Sequence, residues 1–381
     1  MILFLGHSGE IGGAELCQLD IARHFRNESR VLLFSDGPFR ELLESENIDV
    51  TLIRGGNALH RVRRESRLPG AGALASVLSL ARRVAAEARA HDLLYAYTQK
   101  AFVIGCAAVP LCRRPLLWHL HDILSPEHFS AANIKLDVAL GNRLARRVVA
   151  VSHAVKDAFV QNGGKPRHVR VVHNGIDPTP FTRVTSADTQ RAREELGLQH
   201  AQVAGCFSRL SPWKGQHQLI EAASALPGLH LLLVGGTLFG STEYEQTLRN
   251  LVKDYGMEGR VHFLGNRNDV PVLMRACDLI VHCSTAPEPF ARVVIEAMLA
   301  GRPLVAARAG GVVEIVEDGW SGMLFEPGNV PQLRRAIAEI LAEPARAASI
   351  AANAQSHATR NFGLAAMLNG VEQQVRELVA A

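Results

Sequence analysis

Short apolar runs alternate with longer stretches of helical periodicity along almost the whole chain. The runs fall at 2–5, 30–34, 50–53, 93–95, 116–120 and 147–151, then at 202–207, 230–234, 261–264, 279–282, 304–306 and 322–325. Runs this short and apolar suit strands buried on both faces, and the helical stretches between them supply the crossovers that parallel pairing needs. The pattern predicts an α/β protein with two doubly wound parallel sheets. Between the two series, DPTPFTRVTSADTQ (177–190) has neither periodicity and is rich in Pro, Thr, Ser and Asp, which reads as a linker. Beyond Pro327 and Gly328 the pattern is helical to the end. The chain therefore divides into a first domain over 1–180, a second over 181–362, and a last amphipathic helix over 363–381 that packs back on the first. Two such domains are expected to face each other across a cleft at the carboxyl ends of their strands, where open α/β sheets take ligands.

Composition fits this division without adding to it: 381 residues suit two domains, and 48% hydrophobic with 20% charged residues is globular rather than disordered. A net charge of +4 with pI near 8.8 suits an anionic ligand or membrane surface. No motif of interleaved basic and aromatic residues points to nucleic acid. The six cysteines form no CxxC pair and no Cys/His metal spacing, so free thiols in a reducing compartment are expected. The apolar start ends at Gly6, too soon for a signal peptide. The longest apolar stretch, 101–112, contains Pro110 and is short of the roughly 20 residues of a membrane span. A cytoplasmic protein without a spanning helix is expected.

The densest chemistry lies at 285–319, TAPEPFARVVIEAMLAGRPLVAARAGGVVEIVEDG, after the run at 279–282. With a helix starting near Phe290, Glu296 stands about 9 Å along it, and the free N–H groups of the first turn sit between Glu288 and Glu296. That arrangement suits a nucleoside diphosphate sugar: the helix N-terminus takes the diphosphate, and the carboxylates take hydroxyls on either side. Taken alone, the pair also reads as a helix-start carboxylate and a solvated helix residue. FSRLSPWKG (207–215) follows the first strand of the second series and offers Arg209 and Lys214. Fixed cations there stabilise the negative charge that grows on a departing diphosphate; either residue alone reads first as a solvated loop cation.

In the first half, GHSGEIGGAEL (6–16) follows the first strand and meets neither the dinucleotide fingerprint nor the P-loop pattern. Gly9 reads equally as a loose turn. His119 and His121 share a strand face by period two, and His121 with Asp122 falls at the strand's carboxyl end. His119 reads as a core histidine and His121 as a site residue. Lys100, in YTQK, is an acceptor-side candidate and equally a surface lysine. Arg54, Arg61, Arg63, Arg64 and Arg67, against Glu65, could dock on anionic lipid or hold a pyrophosphate-linked acceptor, or form an ordinary solvated loop.

These segments, with GGVVE (310–314) and NGID (174–177), resemble glycosyltransferase family 4, the retaining GT-B enzymes with two Rossmann-like domains. The Glu-x7-Glu signature reads Glu288 to Glu296, and the resemblance covers essentially the whole chain. It implies a hexosyltransferase that moves sugar, with retention, from a nucleoside diphosphate sugar co-substrate to a lipid-linked or polysaccharide acceptor. It implies Arg209 and Lys214 on the donor phosphates, Glu296 on the ribose, and Glu288 on the transferred sugar. Pro289, Phe290, Ala291, Arg292 and Val293 lie along the diphosphate, Gly12 and Gly13 form the N-terminal glycine loop, and His121 lies near the sugar. Where the family usually has Gly, this chain has Ala291. No Asp-x-Asp occurs, so no metal and no separate cofactor are expected. A sugar-nucleotide epimerase, a phosphorylase, and a sugar-nucleotide-binding protein without turnover are the alternative readings.

Overall fold

The computed structural model describes residues 1–54, 71–237 and 242–380. The chain divides into two compact units, Met1–Gly175 with Leu364–Ala381, and Ile176–Gly363. The first is built on β1 (Ile2–Gly6), β2 (Ser29–Leu33), β3 (Val50–Leu52), β4 (Leu93–Ala96), β5 (Leu116–Leu120), β6 (Arg147–Ala150) and β7 (Val169–Val171). These form one sheet in the order β3-β2-β1-β4-β5-β6-β7, with every neighbouring pair parallel. Apart from the edge strands β3 and β7, the strands are buried on both faces, which is why they read as continuous apolar runs rather than alternating ones. β7 escaped the sequence pattern because it is three residues long, at the sheet edge, with Arg170 exposed.

The second unit holds β8 (Gln202–Phe207), β9 (Leu229–Val234), β10 (Val261–Gly265), β11 (Leu279–His282), β12 (Leu304–Ala307) and β13 (Met323–Phe325). Their order is β10-β9-β8-β11-β12-β13, again with parallel neighbours. Strand order reverses between β1 and β4 in one sheet and between β8 and β11 in the other. Loops leaving the carboxyl ends of those strands diverge there, and the gap between them is the ligand position of a doubly wound sheet. Gly12 and Gly13 follow β1, Lys100 follows β4, Arg209 and Lys214 follow β8, and Glu288 follows β11.

The segment at 177–190 is not a linker. It belongs to the second unit, carries the short helix Thr179–Thr182, and enters the helix Ser186–Glu195 through a capping box. Thr185 Oγ1 accepts from the Asp188 N–H at 3.2 Å while Asp188 Oδ2 accepts from the Thr185 N–H at 2.9 Å. The Thr, Ser and Asp that looked like linker composition are helix-start residues satisfying orphan donors. The boundary between units falls just earlier, at Gly175 and Ile176.

The helix Leu364–Val379 belongs to the first unit, where Met367, Val371, Val375 and Leu378 enter the core with Cys17, Ile21 and Tyr95. Burial of such side chains is worth on the order of 1.5–3 kcal/mol each before chain entropy is charged. Arg147 Nη1 donates to Gln374 Oε1 at 2.6 Å and fixes the helix against β6. Among the described residues, no helix is long and apolar enough to cross a membrane. The apolar stretch at 101–112 is most of the helix Gln99–Cys112, packed inside the first unit with Phe102 stacked on Trp118.

Candidate functional site

In the second unit the loops after β8 and β11 lock together. Lys214 ends a short 3₁₀ turn (Pro212–Lys214), and Gly215 follows at φ +73. A Cβ on Gly215 would lie 1.9 Å from the Cys283 carbonyl oxygen, so only glycine permits this approach. Thr285 N–H donates to the Trp213 carbonyl at 2.8 Å. Gln216, itself buried, donates to Ser208 Oγ and to the Arg209 carbonyl, each at 2.9 Å. The loop bearing Arg209 and Lys214 is therefore pinned at both ends, and Trp213 lies under both cations, 5.5 Å from the Arg209 guanidinium and 4.2 Å from Lys214 Nζ.

Glu288 is 6% exposed and sits at the centre of this arrangement. Its Oε1 accepts from Lys214 Nζ at 2.7 Å, from His282 Nε2 at 2.7 Å, and from the Ser284 hydroxyl. Burial pushes against ionisation, but the Lys214 ammonium and then His282 outweigh it and hold the carboxyl well below the usual carboxylate range. Oε2 makes no hydrogen bond among the described residues, so the carboxylate is fixed through one oxygen with the other available as an acceptor. Lys214 and Glu288, read from sequence as ligands for different parts of a donor, are joined as a buried ion pair. The backbone of Glu288 is held too: its carbonyl accepts from the Gly311 N–H at 2.8 Å, and it bridges Gly310.

The helix after this loop runs Arg292–Leu299, with Ala291 as its N-cap, so it begins two residues beyond the expected start at Phe290. Ala291 has φ +49 and ψ +63, a left-handed conformation that glycine adopts without strain and an L-residue avoids. The turn at Ala291 reverses the chain before the helix can start. Glu296 then lies about 6 Å along the helix rather than about 9 Å. It is half-buried, and its side chain makes no hydrogen bond or ion pair among the described residues. Burial pushes its carboxyl above the usual range, against the pull of Arg292. Phe290 is buried against Phe362, while Pro289, Arg292 and Val293 are half-buried.

In the first unit, Gly9 is a packed position rather than a loose turn. Its N–H donates to Ser35 Oγ at 2.9 Å, its carbonyl accepts from the Phe39 N–H at 2.7 Å, and a Cβ there would meet the Asp36 backbone at 2.3 Å. Gly12 caps the helix Gly13–His24 in extended conformation, with no side-chain capping bond. His119 is buried on β5, its Nδ1 2.7 Å from the Tyr95 hydroxyl and its Nε2 buried without a partner. Burial, and then the neighbouring His121, push its imidazole well below its ordinary value, so it is neutral. The His119 and His121 rings are 4.1 Å apart, and Asp122 is half-buried just beyond the strand. Lys100 is half-buried in the first turn of the helix Gln99–Cys112. Of the arginine loop, Arg54 is exposed, 4.0 Å from Asp36; Arg61, Arg63, Arg64 and Arg67 lie outside the described residues.

Three positions around these residues were not singled out by sequence. His282 and Ser284 carry a signal, since residues two apart at a strand end share a face, but a His in a core strand reads first as packing. Cys17 comes from the helix Gly13–His24, and its sulfur lies within 4.8 Å of a ring nitrogen of each of His119 and His121. Nothing in the spacing shows that cluster.

The fold and the loops at its switch points have counterparts among known proteins. Residues 11–179 match Glycosyltransferase Family 4 and residues 188–357 match the glycosyl transferases group 1. The crystal structure of Anabaena HepE in complex with UDP-glucose is 43% identical with a TM-score of 0.90, and the alignment covers 99% of each chain. The structure of HepE with UDP and glucose gives a TM-score of 0.91. Sucrose-phosphate synthase from Thermosynechococcus elongatus, at 21% identity and TM-score 0.82 over 100% of this chain and 99% of that one, shares the fold. Among curated relatives, the D-inositol 3-phosphate glycosyltransferase of Corynebacterium kroppenstedtii is 32% identical over 57% of this chain and 50% of its own length. That of Corynebacterium efficiens is 28% identical over 76% of this chain and 72% of its own. The chain spans about half the length of the first of these relatives. The chain belongs to the group 1, family 4 glycosyltransferases, a class of nucleotide-sugar-dependent enzymes with the GT-B fold.

Proposed function

We propose that this chain transfers a hexose, glucose in the first instance, from its uridine diphosphate sugar to a lipid-linked or saccharide acceptor, with retention at the anomeric carbon and without a metal. The observation that carries the reading is Glu288: a buried carboxylate kept ionised, tied through Oε1 to Lys214, His282 and Ser284, with Oε2 left to accept from a sugar hydroxyl. HepE, alike over 99% of both chains, has been crystallised with UDP, with UDP and glucose, and with UDP-glucose, which supports the choice of donor.

Each residue has a distinct part. Lys214 carries three N–H donors and spends one on Glu288, so it offers the others to a phosphate oxygen without leaving Glu288 uncompensated. Arg209 joins it. As the bond from the anomeric carbon to the diphosphate breaks, charge moves onto the phosphate oxygens, and cations already fixed over Trp213 stabilise that charge without reorganising. As the acceptor hydroxyl oxygen bonds to the same face of the anomeric carbon, its proton passes to the departing diphosphate oxygen, which has just gained the electron pair of the broken bond. Glu296, half-buried and unpaired, takes the ribose hydroxyls, and the segment Pro289 to Val293 lies along the diphosphate. In the first unit we assign saccharide hydroxyls to His121, with Gly12 and Gly13 as the close-approach loop and Lys100 and Asp122 on the acceptor side.

The test is thermal-shift titration of wild type, Lys214→Ala and Glu296→Ala with UDP, UDP-glucose and the corresponding guanosine and adenosine compounds. A ligand that binds only the native state adds roughly 2.7 kcal/mol at a hundredfold excess over Kd. Stabilisation confined to uridine compounds and lost in both variants is expected, with glycosylated product of retained anomeric configuration in time-resolved assays. Stabilisation by no nucleotide, or conversion of the sugar without an acceptor, would sink the reading.

A further inference from the structure

We propose that Cys17, His119 and His121 form a binding site for a thiophilic transition-metal cation of the zinc type, inside the first unit. The three side chains come from two elements, the helix Gly13–His24 and the end of β5, and their ligand atoms already lie within 4.8 Å of one another. A tetrahedral centre with metal–sulfur bonds of about 2.3 Å and metal–nitrogen bonds of about 2.0 Å draws its ligand atoms to roughly 3.3–3.6 Å apart. At most about 1.5 Å of side-chain movement between any two of them closes the difference.

A second observation points the same way. A metal-bound histidine almost always uses its other ring nitrogen to hold its orientation. His119 is 1% exposed, its Nδ1 is held by the Tyr95 hydroxyl at 2.7 Å, and its Nε2 is buried with no hydrogen-bond partner. A cation on Nε2 satisfies that atom and leaves Nδ1–H to donate to Tyr95 Oη. Around the sulfur, Asn174 Oδ1 accepts from Cys17 Sγ at 3.2 Å and Met367 Sδ lies 3.6 Å from it, so a fourth donor stands beside the cluster. All of these residues belong to one compact unit.

On binding, the Cys17 thiol loses its proton to solvent and bonds as thiolate, while both imidazoles bind neutral. One thiolate and two imidazoles select zinc, copper or nickel over magnesium and calcium, which prefer oxygen. The site itself does not depend on the proposed transferase activity. One consequence does: a His121 committed to a metal is withdrawn from saccharide hydroxyls, so the cation inhibits transfer.

The experiment uses the full chain, treated with chelator and titrated with cobalt(II) alone. The expected result is one equivalent bound, with a thiolate-to-cobalt charge-transfer band and the intense ligand-field bands of a tetrahedral centre, all bleached by zinc. Cys17→Ser removes the charge-transfer band, His119→Gln weakens binding at least tenfold, and Cys112→Ser changes neither. Zinc-edge X-ray absorption on wild type shows sulfur and imidazole ligands and needs no variant to fold. An all-oxygen shell, no charge-transfer band, or a band that survives in folded Cys17→Ser would overturn the site. Zinc inhibition equal in wild type and Cys17→Ser would overturn the inhibitory consequence, and the cobalt spectra decide the site whether or not transfer is detected.

Discussion

Truncating Lys214 to alanine probes the centre of the donor-side network directly. Glu288 stays buried at 6% exposure with His282 and Ser284 still in place, but loses the ammonium 2.7 Å away. Removing one partner of a buried pair costs about 3–5 kcal/mol, and the two surviving donors reduce this to roughly 2–3 kcal/mol. For a unit of this size that is a fall in Tm of roughly 4–12 °C. Glu288 is held below its unfolded value, so its contribution is present above about pH 4.3 and is lost as pH falls through the folded-state value. With Lys214 gone, burial dominates and the carboxyl takes up a proton at higher pH, so the penalty is full near neutrality and shrinks toward about pH 4. The double variant Lys214→Ala/Glu288→Gln removes the stranded charge and recovers on the order of 1–2 kcal/mol over Lys214→Ala alone. Scanning calorimetry of wild type and the two variants at neutral and acid pH measures each quantity. A Lys214→Ala protein as stable as wild type at neutral pH, or a double variant no better than the single, would refute the electrostatic account.

Gly215→Ala forces a left-handed residue and places a Cβ 1.9 Å from the Cys283 carbonyl oxygen; a loss of roughly 3 kcal/mol in denaturant titration is expected, together with loss of nucleotide binding because Lys214 moves with it. At Ala291 the left-handed strain is already present, so Ala291→Gly is expected to stay within about 1 kcal/mol of wild type, strain relief offsetting chain entropy and a lost methyl. Ala291→Val loses about 2 kcal/mol or more; a neutral valine would show that the turn is not held. Asp137, buried and bonded to Gln99, has its carboxyl pushed up to about 7, by burial first. Here the folded state binds the proton more tightly than the unfolded one, so stability falls as pH rises from about 4 to about 7, by up to about 4 kcal/mol. Asp137→Asn should flatten that slope, and an unchanged pH profile would remove Asp137 as its source.

The apolar runs determined most of the fold by themselves. Parallel strands covered on both faces are apolar at nearly every position, so 2–5, 116–120, 202–207 and 279–282 stand out one by one, and the fixed handedness and short connections of doubly wound sheets order them. The loops after 202–207 and 279–282 also stood out by their charge at strand ends, with Arg209, Lys214 and Glu288, although each of these residues taken alone read as a solvated or helix-start side chain. What sequence could not supply was the partner of each charge. Lys214 and Glu288 are 74 positions apart and meet only because β8 and β11 are neighbours at the point where strand order reverses. The polar stretch at 177–190 looked like a linker because caps and linkers draw on the same residues, and only its hydrogen bonds tell them apart. Ala291 carries no local mark of its left-handed turn, which the Glu288–Gly310 bridge and the Gly311 contact impose from β12. Cys17, His119 and His121 are brought together by a helix packing on a sheet, a contact between elements that periodicity within either one does not encode.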